Sequence, residues 1–188
     1  MNYEDYSPHW QAKVAALADR VFGKGYFPRP SEIAREPQTC FHICVTPDQE
    51  VAGFVRGRLL PEGGLDDFLE HRLEEVPEDL AKADAAGALG VIRTIAVDPD
   101  YRGKGIGTTL LHIVHDSLVG LGADKLIVTF KRGPRDSRVE GIMAQLGFRE
   151  WVRLETYWKA RCDAGEFDCI HRTNGCECEA ILYQKAVF

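Results

Sequence analysis

The residues with the clearest chemical potential are three glycines at alternate positions, Gly103, Gly105 and Gly107, with the basic residues Arg102 and Lys104 beside them. They follow a strand-like apolar run and precede a helix-like amphipathic pattern. The first turn of a helix has backbone N–H groups without intrahelical partners, and the helix dipole makes this end positive. A glycine loop at this point therefore predicts a binding site for a phosphate group.

The spacing of this loop excludes two common phosphate sites. A Walker loop needs lysine between its last glycine and Ser or Thr, whereas Thr108 directly follows Gly107. A dinucleotide loop needs G-x-G-x-x-G, and this chain has G-x-G-x-G. The remaining pattern is Arg102-x-x-Gly105-x-Gly107 after a strand ending in Val-Asp-Pro. It resembles the pyrophosphate-binding signature of the GNAT superfamily of N-acetyltransferases. The alternative is a glycine-rich turn that only begins a helix.

The order of the other patterns predicts an α/β fold. Apolar spacing and turn residues indicate a helix, two strands, an interruption, a strand, a helix, a strand, a helix and two closing strands. The predicted helices cover 7–23, 106–120 and 137–147, and the predicted strands cover 39–46, 50–60, 89–97, 126–130, 149–158 and 180–187. A helix between two strands predicts that they pair in parallel. This order resembles the GNAT fold, which implies an α+β sandwich with a mixed central sheet and helices on both faces.

We expect a single GNAT-like domain over residues 1–188 with two additions. The first is an acidic insertion at about 61–87, helical around 65–75 and broken at Pro77. It could be a lid that attracts a cationic amine, or a solvated helix face, which is the more common role of such a charge run. The second addition is a cysteine-rich loop at about 162–178.

The cysteine-rich loop could hold a zinc ion. Its candidate ligands are Cys162, Cys169, Cys176 and Cys178, with His171 as an alternative. Thiolates and an imidazole form closed tetrahedral zinc sites, and a metal would order a loop that has no apolar core of its own. The spacing matches no C-x2-C knuckle, so we favour free or partly buried thiols over zinc.

The resemblance implies how acetyl-CoA binds. The two parallel strands separate at their carboxyl ends, and the pantetheine arm bonds to the backbone of Ile95 and Val97 like an extra strand. The pyrophosphate lies on the N–H groups of the glycine loop, and a backbone N–H of the strand stabilises the oxyanion. The residues expected at the cofactor are Ile95, Ala96, Val97, Arg102, Gly103, Lys104, Gly105, Ile106, Gly107, Thr108 and Ser137.

The chain departs from the family pattern at the reacting centre. Many members carry Glu on the strand before the glycine loop, where this chain has Arg93 and Thr94. Many also carry a Tyr as general acid on the late helix, at the position of Met143. The catalytic residues are therefore unassigned. Three side chains are candidates to replace the missing groups, although each is more commonly structural: Glu155, Tyr157 and His42.

Composition limits the partners. The formal net charge is −6, whereas binding to nucleic acid needs clustered Lys and Arg. No signal-peptide pattern and no long apolar run is visible, so we expect no membrane association and a cytoplasmic protein.

The resemblance implies an acetyl-CoA-dependent N-acetyltransferase that moves an acyl group to an amine of a small molecule or a protein. A non-catalytic acyl-CoA-binding module is the first alternative, because the family's usual acid and base are missing. An interaction protein with a zinc-stabilised C-terminal loop is the second. The sequence leaves open the acceptor, the acyl length and the choice between a monomer and a homodimer.

Overall fold

The computed structural model describes residues 1–27, 29–73, 75–132, 138–166, 168–170 and 178–187. Its strands are β1 (Asn2–Asp5), β2 (Gly23–Lys24), β3 (Thr39–Val45), β4 (Val51–Leu59), β5 (Leu89–Val97), β6 (Lys125–Arg132), β7 (Arg149–Leu154), β8 (Asp168–Cys169) and β9 (Glu179–Ala186). Its α-helices are α1 (Gln11–Phe22), α2 (Pro30–Ile33), α3 (Leu65–Phe68), α4 (Glu78–Ala85), α5 (Ile106–Gly120), α6 (Arg138–Gln145) and α7 (Lys159–Asp163). Single 3₁₀ turns cover Pro8–Trp10 and Pro99–Tyr101.

Seven strands form one mixed sheet in the order β1-β3-β4-β5-β6-β9-β7, and β2 pairs with β8 in a separate ribbon. The predicted hairpin of β3 and β4 is confirmed as an antiparallel pair. The predicted parallel pairing of β5 with β6 is also confirmed, and α5 makes the crossover between them. The other neighbours in the large sheet are antiparallel. The mixed sheet with helices is the fold that the sequence predicts.

Both faces of the sheet are covered, because successive side chains of a strand point to opposite faces. On one face α5 and α6 pack against the sheet in a core that includes Leu110, Val114 and Met143. On the other face α1 covers the first strands. Beside it, the acidic insertion and α7 cover β5, β6 and β9.

The α5 helix packs closely on the sheet because one strand residue has no side chain. A Cβ added to Gly57 would lie 2.7 Å from Val114 Cγ2 and 3.0 Å from Leu118 Cδ1. Val114 and Leu118 are both fully buried, so their side chains cannot move away without disturbing the packing around them. Gly57 thereby sets the distance between α5 and β4.

The acidic insertion is held by apolar contacts. Leu65, Phe68 and Leu80 are buried in the core that contains β5 and β6 residues, whereas Asp66 and Asp67 are 65% and 87% exposed. The insertion is therefore a packed layer with solvated carboxylates. Among the described residues, no helix has the length and apolar character needed to cross a membrane.

Two predicted boundaries are wrong. The helix expected at 65–75 covers only Leu65–Phe68, because Glu70 and His71 have φ of 55° and 56°, which ends a right-handed helix. A further helix, α4, follows Pro77. The strand expected at 149–158 ends at Leu154, and Thr156 in the following turn has φ of 55°.

The edge strand β1 was not predicted from the sequence. Its residues Asn2–Asp5 are polar and exposed or half-buried, since this edge strand pairs on one side only, with β3. His42 of β3 helps to hold it: Nδ1 lies 2.8 Å from Asp5 Oδ1, and Nε2 lies 2.8 Å from Ser117 Oγ. These contacts give His42 a structural role, and burial lowers its pKa despite the nearby carboxylate.

Candidate active site

The two central parallel strands separate at their carboxyl ends. Their pairing begins at Leu89 and Lys125 and ends at Ile92 and Val128. Beyond this point β5 continues to Val97 and β6 continues through Arg132. The edge of β5 that faces β6 is therefore unpaired over its last residues, and this cleft can accept an extended ligand by strand addition.

A β-bulge lies where the cleft begins. Arg56 of β4 pairs with Thr94, but the next residue of β4 pairs with Ile92, so Arg93 has no partner of its own. An extra residue in one strand redirects the side chains that follow it. Accordingly, Val91 packs on the insertion side of the sheet, whereas Ile95 packs on the α5 side. The alternation of side chains along β5 changes phase at Arg93.

The glycine loop is held by carboxylates at its start. Asp98 accepts a hydrogen bond from the Asp100 backbone N–H at 2.9 Å. Arg20 of α1 pairs with both carboxylates, at 2.7 and 3.0 Å. Gly103 and Gly105 have φ of 76° and 78°, a region open to glycine at little cost. An added Cβ would meet nothing within 4 Å at either position, so the requirement for glycine is conformational.

The loop leads into the amino-terminal end of α5. The first backbone hydrogen bond of this helix runs from the Thr109 N–H to Gly105 O, at 3.0 Å. The N–H groups of Ile106, Gly107 and Thr108 therefore have no intrahelical acceptor. These donors, together with the helix dipole, form an anion-binding end of the cleft.

A cavity of about 730 Å³ joins the glycine loop to the inner part of the cleft. Nine of the residues predicted to bind the cofactor line it: Ile95, Ala96, Val97, Arg102, Gly103, Gly105, Ile106, Gly107 and Thr108. Lys104 is not among the lining residues, and its ammonium lies 4.9 Å from the centre of the Tyr101 ring. Ser137 lies outside the described residues.

Apart from Met143, which the resemblance gave as the position of the family's general acid, the inner wall of the cavity was not predicted from the sequence. It includes Phe130 and Lys131 from β6, Ile142 and Met143 from α6, and Val21 from α1. The signal for the β6 pair was their position at the end of the predicted strand 126–130, where Phe130 is its last residue and Lys131 follows it. Met143 is 1% exposed. Among the described lining residues there is no carboxylate and no imidazole.

Lys131 lines the cavity, and its ammonium contacts two residues of the insertion-side core. Its Nζ donates to Cys169 Sγ at 3.0 Å and lies 5.7 Å from the centre of the Trp158 ring. Burial lowers the pKa of Lys131, but the hydrogen bond to Cys169 and the neighbouring thiols outweigh this effect and raise its pKa. Lys131 is therefore charged at neutral pH.

The weak catalytic candidates lie away from the cavity wall. Glu155 is exposed in the turn that follows β7. Tyr157 is buried, and its hydroxyl donates to the Phe68 backbone oxygen at 3.4 Å. Burial raises the pKa of Tyr157. Neither residue lines the cavity, because the turn after Leu154 directs the chain toward the insertion.

The described part of the cysteine-rich loop gives no support to a zinc site. Cys162 and Cys178 are buried in an apolar core, and Cys169 borders it. No group of three or more metal-ligating side chains is found in the described residues. The Lys131 ammonium beside Cys169 also occupies a position that would repel a metal cation. The remaining candidates, His171 and Cys176, lie outside the described residues.

Comparison with known proteins gives one family. The family model described as "Acetyltransferase (GNAT) family" matches residues 3–148. No curated protein matches the chain by sequence.

Solved structures give the same fold at low sequence identity. The ribosomal-protein-S18-alanine N-acetyltransferase from Escherichia coli has a TM-score of 0.66 and 16% identity, with 98% of this chain and 92% of that chain covered. A ribosomal-protein-alanine N-acetyltransferase from Brucella melitensis has a TM-score of 0.66 and 12% identity, with 100% of both chains covered. Naa20 from Chaetomium thermophilum, solved with a bisubstrate analogue, has a TM-score of 0.64 and 13% identity over 99% of this chain and 86% of that chain.

Proposed function

Because the chain belongs to the GNAT acetyltransferase family, we propose that it transfers the acetyl group of acetyl-CoA to the nitrogen of an amine. The single observation that carries this proposal is the position of the cleft. The unpaired edge of β5 opens directly toward the amino-terminal end of α5. A ligand with an extended amide arm and a pyrophosphate matches both features at once.

In this proposal, the glycine loop binds the pyrophosphate through the N–H groups of Ile106, Gly107 and Thr108. The Arg102 side chain is anchored by its own hydrogen bond from Nε to Val97 O at 3.2 Å, which leaves its other N–H groups for a phosphate oxygen. The pantetheine amides pair with the backbone of Ile95 and Val97. The thioester then lies near the inner wall, beside Phe130, Lys131 and Met143.

The reaction needs few protein groups. The neutral amine attacks the thioester carbonyl carbon, the carbonyl oxygen takes up negative charge, and the C–S bond breaks as the carbonyl re-forms. The nitrogen loses one proton, the thiolate gains one, and the products are an N-acetyl amine and the CoA thiol. Backbone N–H groups of β5 stabilise the oxyanion. In this proposal the Lys131 ammonium stabilises the departing thiolate.

In this site water, and not a side chain, accepts the proton of the acceptor amine. A free alkylamine has a pKa of about 10.4 and is mostly protonated at neutral pH. Since no carboxylate or imidazole is present among the described lining residues, the reactive neutral amine forms in solution or through bound water. Transfer should then follow the concentration of neutral amine.

A non-catalytic acyl-CoA-binding module is the second candidate, and the buried Met143 on the cavity wall favours it. The thioether of Met143 cannot protonate a thiolate. Release of CoA thiol from acetyl-CoA, measured with a panel of amines, separates the two candidates. We expect amine-dependent release and an N-acetylated product by mass spectrometry. Tight binding of CoA without amine-dependent release would leave only the binding module.

A further inference from the structure

A charged side chain is exposed at the middle of the large sheet. Arg93 is exposed, although its neighbours Ile92 and Thr94 are buried and β5 is the central strand of seven. The bulge is the reason, since it removes Arg93 from the regular pairing with β4. Exposure at this position requires a solvent-filled opening over the middle of the sheet, where the cleft between β5 and β6 begins.

Arg93 has no carboxylate to neutralise it in the described part of the chain. Its guanidinium lies 5.2 Å from the centre of the Phe68 ring. The nearby Arg56 is itself a cation, and it is bound by Glu36 at 2.5 Å. Burial lowers the pKa of Arg56 to about 10, and the positive charge of Arg93 also acts to lower it. Arg93 is therefore a solvent-facing cation with another cation as its neighbour.

Two further cations act on the same tyrosine as Arg93. The positive charges of Arg161, Lys131 and Arg93 all act on the hydroxyl of Tyr26, whose pKa is nevertheless raised by burial. Two carboxylates approach this group. Glu166 is bound by Arg161 at 2.6 Å, and Glu70 lies 3.7 Å from Arg72. The described charges around the opening therefore include both signs, and Arg93 is a cation there that no described carboxylate binds.

The opening is also bounded by backbone. The ribbon of β2 and β8 joins the end of α1 to the segment after α7. Cys169 of this ribbon accepts the hydrogen bond from Lys131, which lines the cavity. A Cβ on Gly23 would lie 1.8 Å from Asp168 O, so the two segments are in direct contact. The ribbon stands beside the inner wall, which favours a compact acceptor over a polypeptide.

We propose that Arg93 binds an oxyanion of a small amine acceptor, a carboxylate or phosphate a few bonds from the reacting nitrogen. The guanidinium presents paired N–H donors that match the two oxygens of such a group. Anchoring this oxyanion beside the inner wall directs the amine toward the thioester. The inference rests on the proposed N-acetyltransferase function. It also replaces the acidic-lid hypothesis, because a polycationic amine would meet Arg93 and Lys131 as like charges.

The test compares acceptors in matched pairs with the full-length chain. The pairs are α-amino acids against their α-amides and phosphoethanolamine against ethanolamine, with putrescine as a dication. CoA thiol release gives kcat/KM, corrected for the fraction of neutral amine, and calorimetric titration in the presence of CoA gives acceptor binding. We expect the oxyanion-bearing member of at least one pair to react about tenfold better than its partner. The carboxylate and phosphate pairs identify which oxyanion is used.

The variant Arg93→Gln should remove this preference. It should lower kcat/KM for the preferred acceptor about tenfold, leave its neutral partner within about twofold, and leave CoA binding unchanged. Arg93→Lys should restore part of the preference. Arg149→Gln, at an exposed position on the edge strand β7, is the matched control and should change neither value.

The outcomes separate this inference from the proposed function. If no oxyanion-bearing amine binds or reacts better than its neutral partner, or if Arg93→Gln weakens both members equally, the inference is wrong. If acids bind through Arg93 but no thiol is released, Arg93 keeps its assignment and the proposed enzymatic function fails. If neutral amines and putrescine react and acids are not preferred, the proposed enzymatic function holds and the role assigned to Arg93 is wrong.

Discussion

The two ends of the cleft present different kinds of chemical group, backbone N–H groups at one end and side chains at the other. The proposed donor end, Gly103–Thr108, presents backbone N–H groups of one continuous segment. The proposed acceptor end presents side chains from β5, β6 and α6. Lys131 and Met143 line the cavity, whereas Arg93 is an exposed residue of β5 outside its lining. A backbone site can bind the same phosphate in many proteins, because it depends on few side chains. A side-chain site changes with each substitution, and the resemblance likewise indicates that this chain departs from the family pattern at Arg93 and Met143.

The largest expected effect tests the absence of a protein base at the acceptor end. With an alkylamine acceptor of pKa about 10.4, kcat/KM should increase about tenfold per pH unit between about pH 7 and about pH 9. Lys131 should not interrupt this rise, because its pKa is raised and it stays charged. Initial rates of thiol release across this range make the measurement. A plateau well below the pKa of the amine would mean that a protein group accepts the proton.

A substitution at the donor end comes next. Gly107→Asp should weaken CoA binding by a factor of about ten or more, because a carboxylate would face the pyrophosphate. The fold should be retained, since Gly107 is in the first turn of α5 and an acidic residue there is favourable. Calorimetric titration with CoA gives the affinity. Pantetheine, which has no pyrophosphate, is the matched control ligand, and an equal loss for both ligands would contradict the assigned pyrophosphate site.

A substitution at the acceptor end should have a different signature. Lys131→Met should lower kcat about tenfold through loss of the charge beside the leaving thiolate, while the Kd for CoA changes less than about twofold. Steady-state kinetics and titration together give the two values. Should the Kd rise as much as kcat falls, Lys131 would contribute to binding of the donor and not to the reaction.

The smallest expected effect on activity concerns the packing that holds the donor end in place. Gly57→Ala should destabilise the fold by about 1–3 kcal/mol, because the new methyl group meets Val114 at 2.7 Å. Gly141→Ala is the control: this helical glycine has nothing within 4 Å of an added Cβ, so the change should stabilise by about 0.5–1 kcal/mol. Denaturant unfolding measures both. Equal stability of the two variants would mean that α5 can shift on the sheet.

Much of the fold was predictable because local patterns carry it. The hairpin of β3 and β4 and the strand at 89–97 are mostly apolar runs, and the helix at 106–120 has helical apolar spacing. The structure has all of them within a few residues of the predicted bounds. The edge strand β1 was missed, since its residues are polar and its partner is distant in sequence. The end of β7 was misplaced, because the turn at Thr156 has no glycine to mark it.

The candidate site also has a part that local sequence patterns predict and a part that they do not. The glycine loop was found by spacing, and most of its expected residues line the cavity. The resemblance gave Met143 as the general-acid position, but Phe130 and Lys131 were not predicted to line the site, because only the arrangement of the sheet brings them to the cavity. Glu155 and Tyr157 were candidates because the predicted strand extended to residue 158, whereas β7 ends at Leu154. Local spacing could not show where that strand ends.

The sequence by itself determined the glycine loop of the proposed donor end, because alternate glycines before a helix set the backbone conformation and the direction of its N–H groups locally. It also determined the order of the elements, through apolar periodicity. Only the tertiary structure decided the acceptor end. The bulge that exposes Arg93 depends on its pairing with β4, and the wall that contains Lys131 depends on strands that separate after Val128. Pairing between distant segments is a property of the assembled sheet, and no short stretch of sequence contains it.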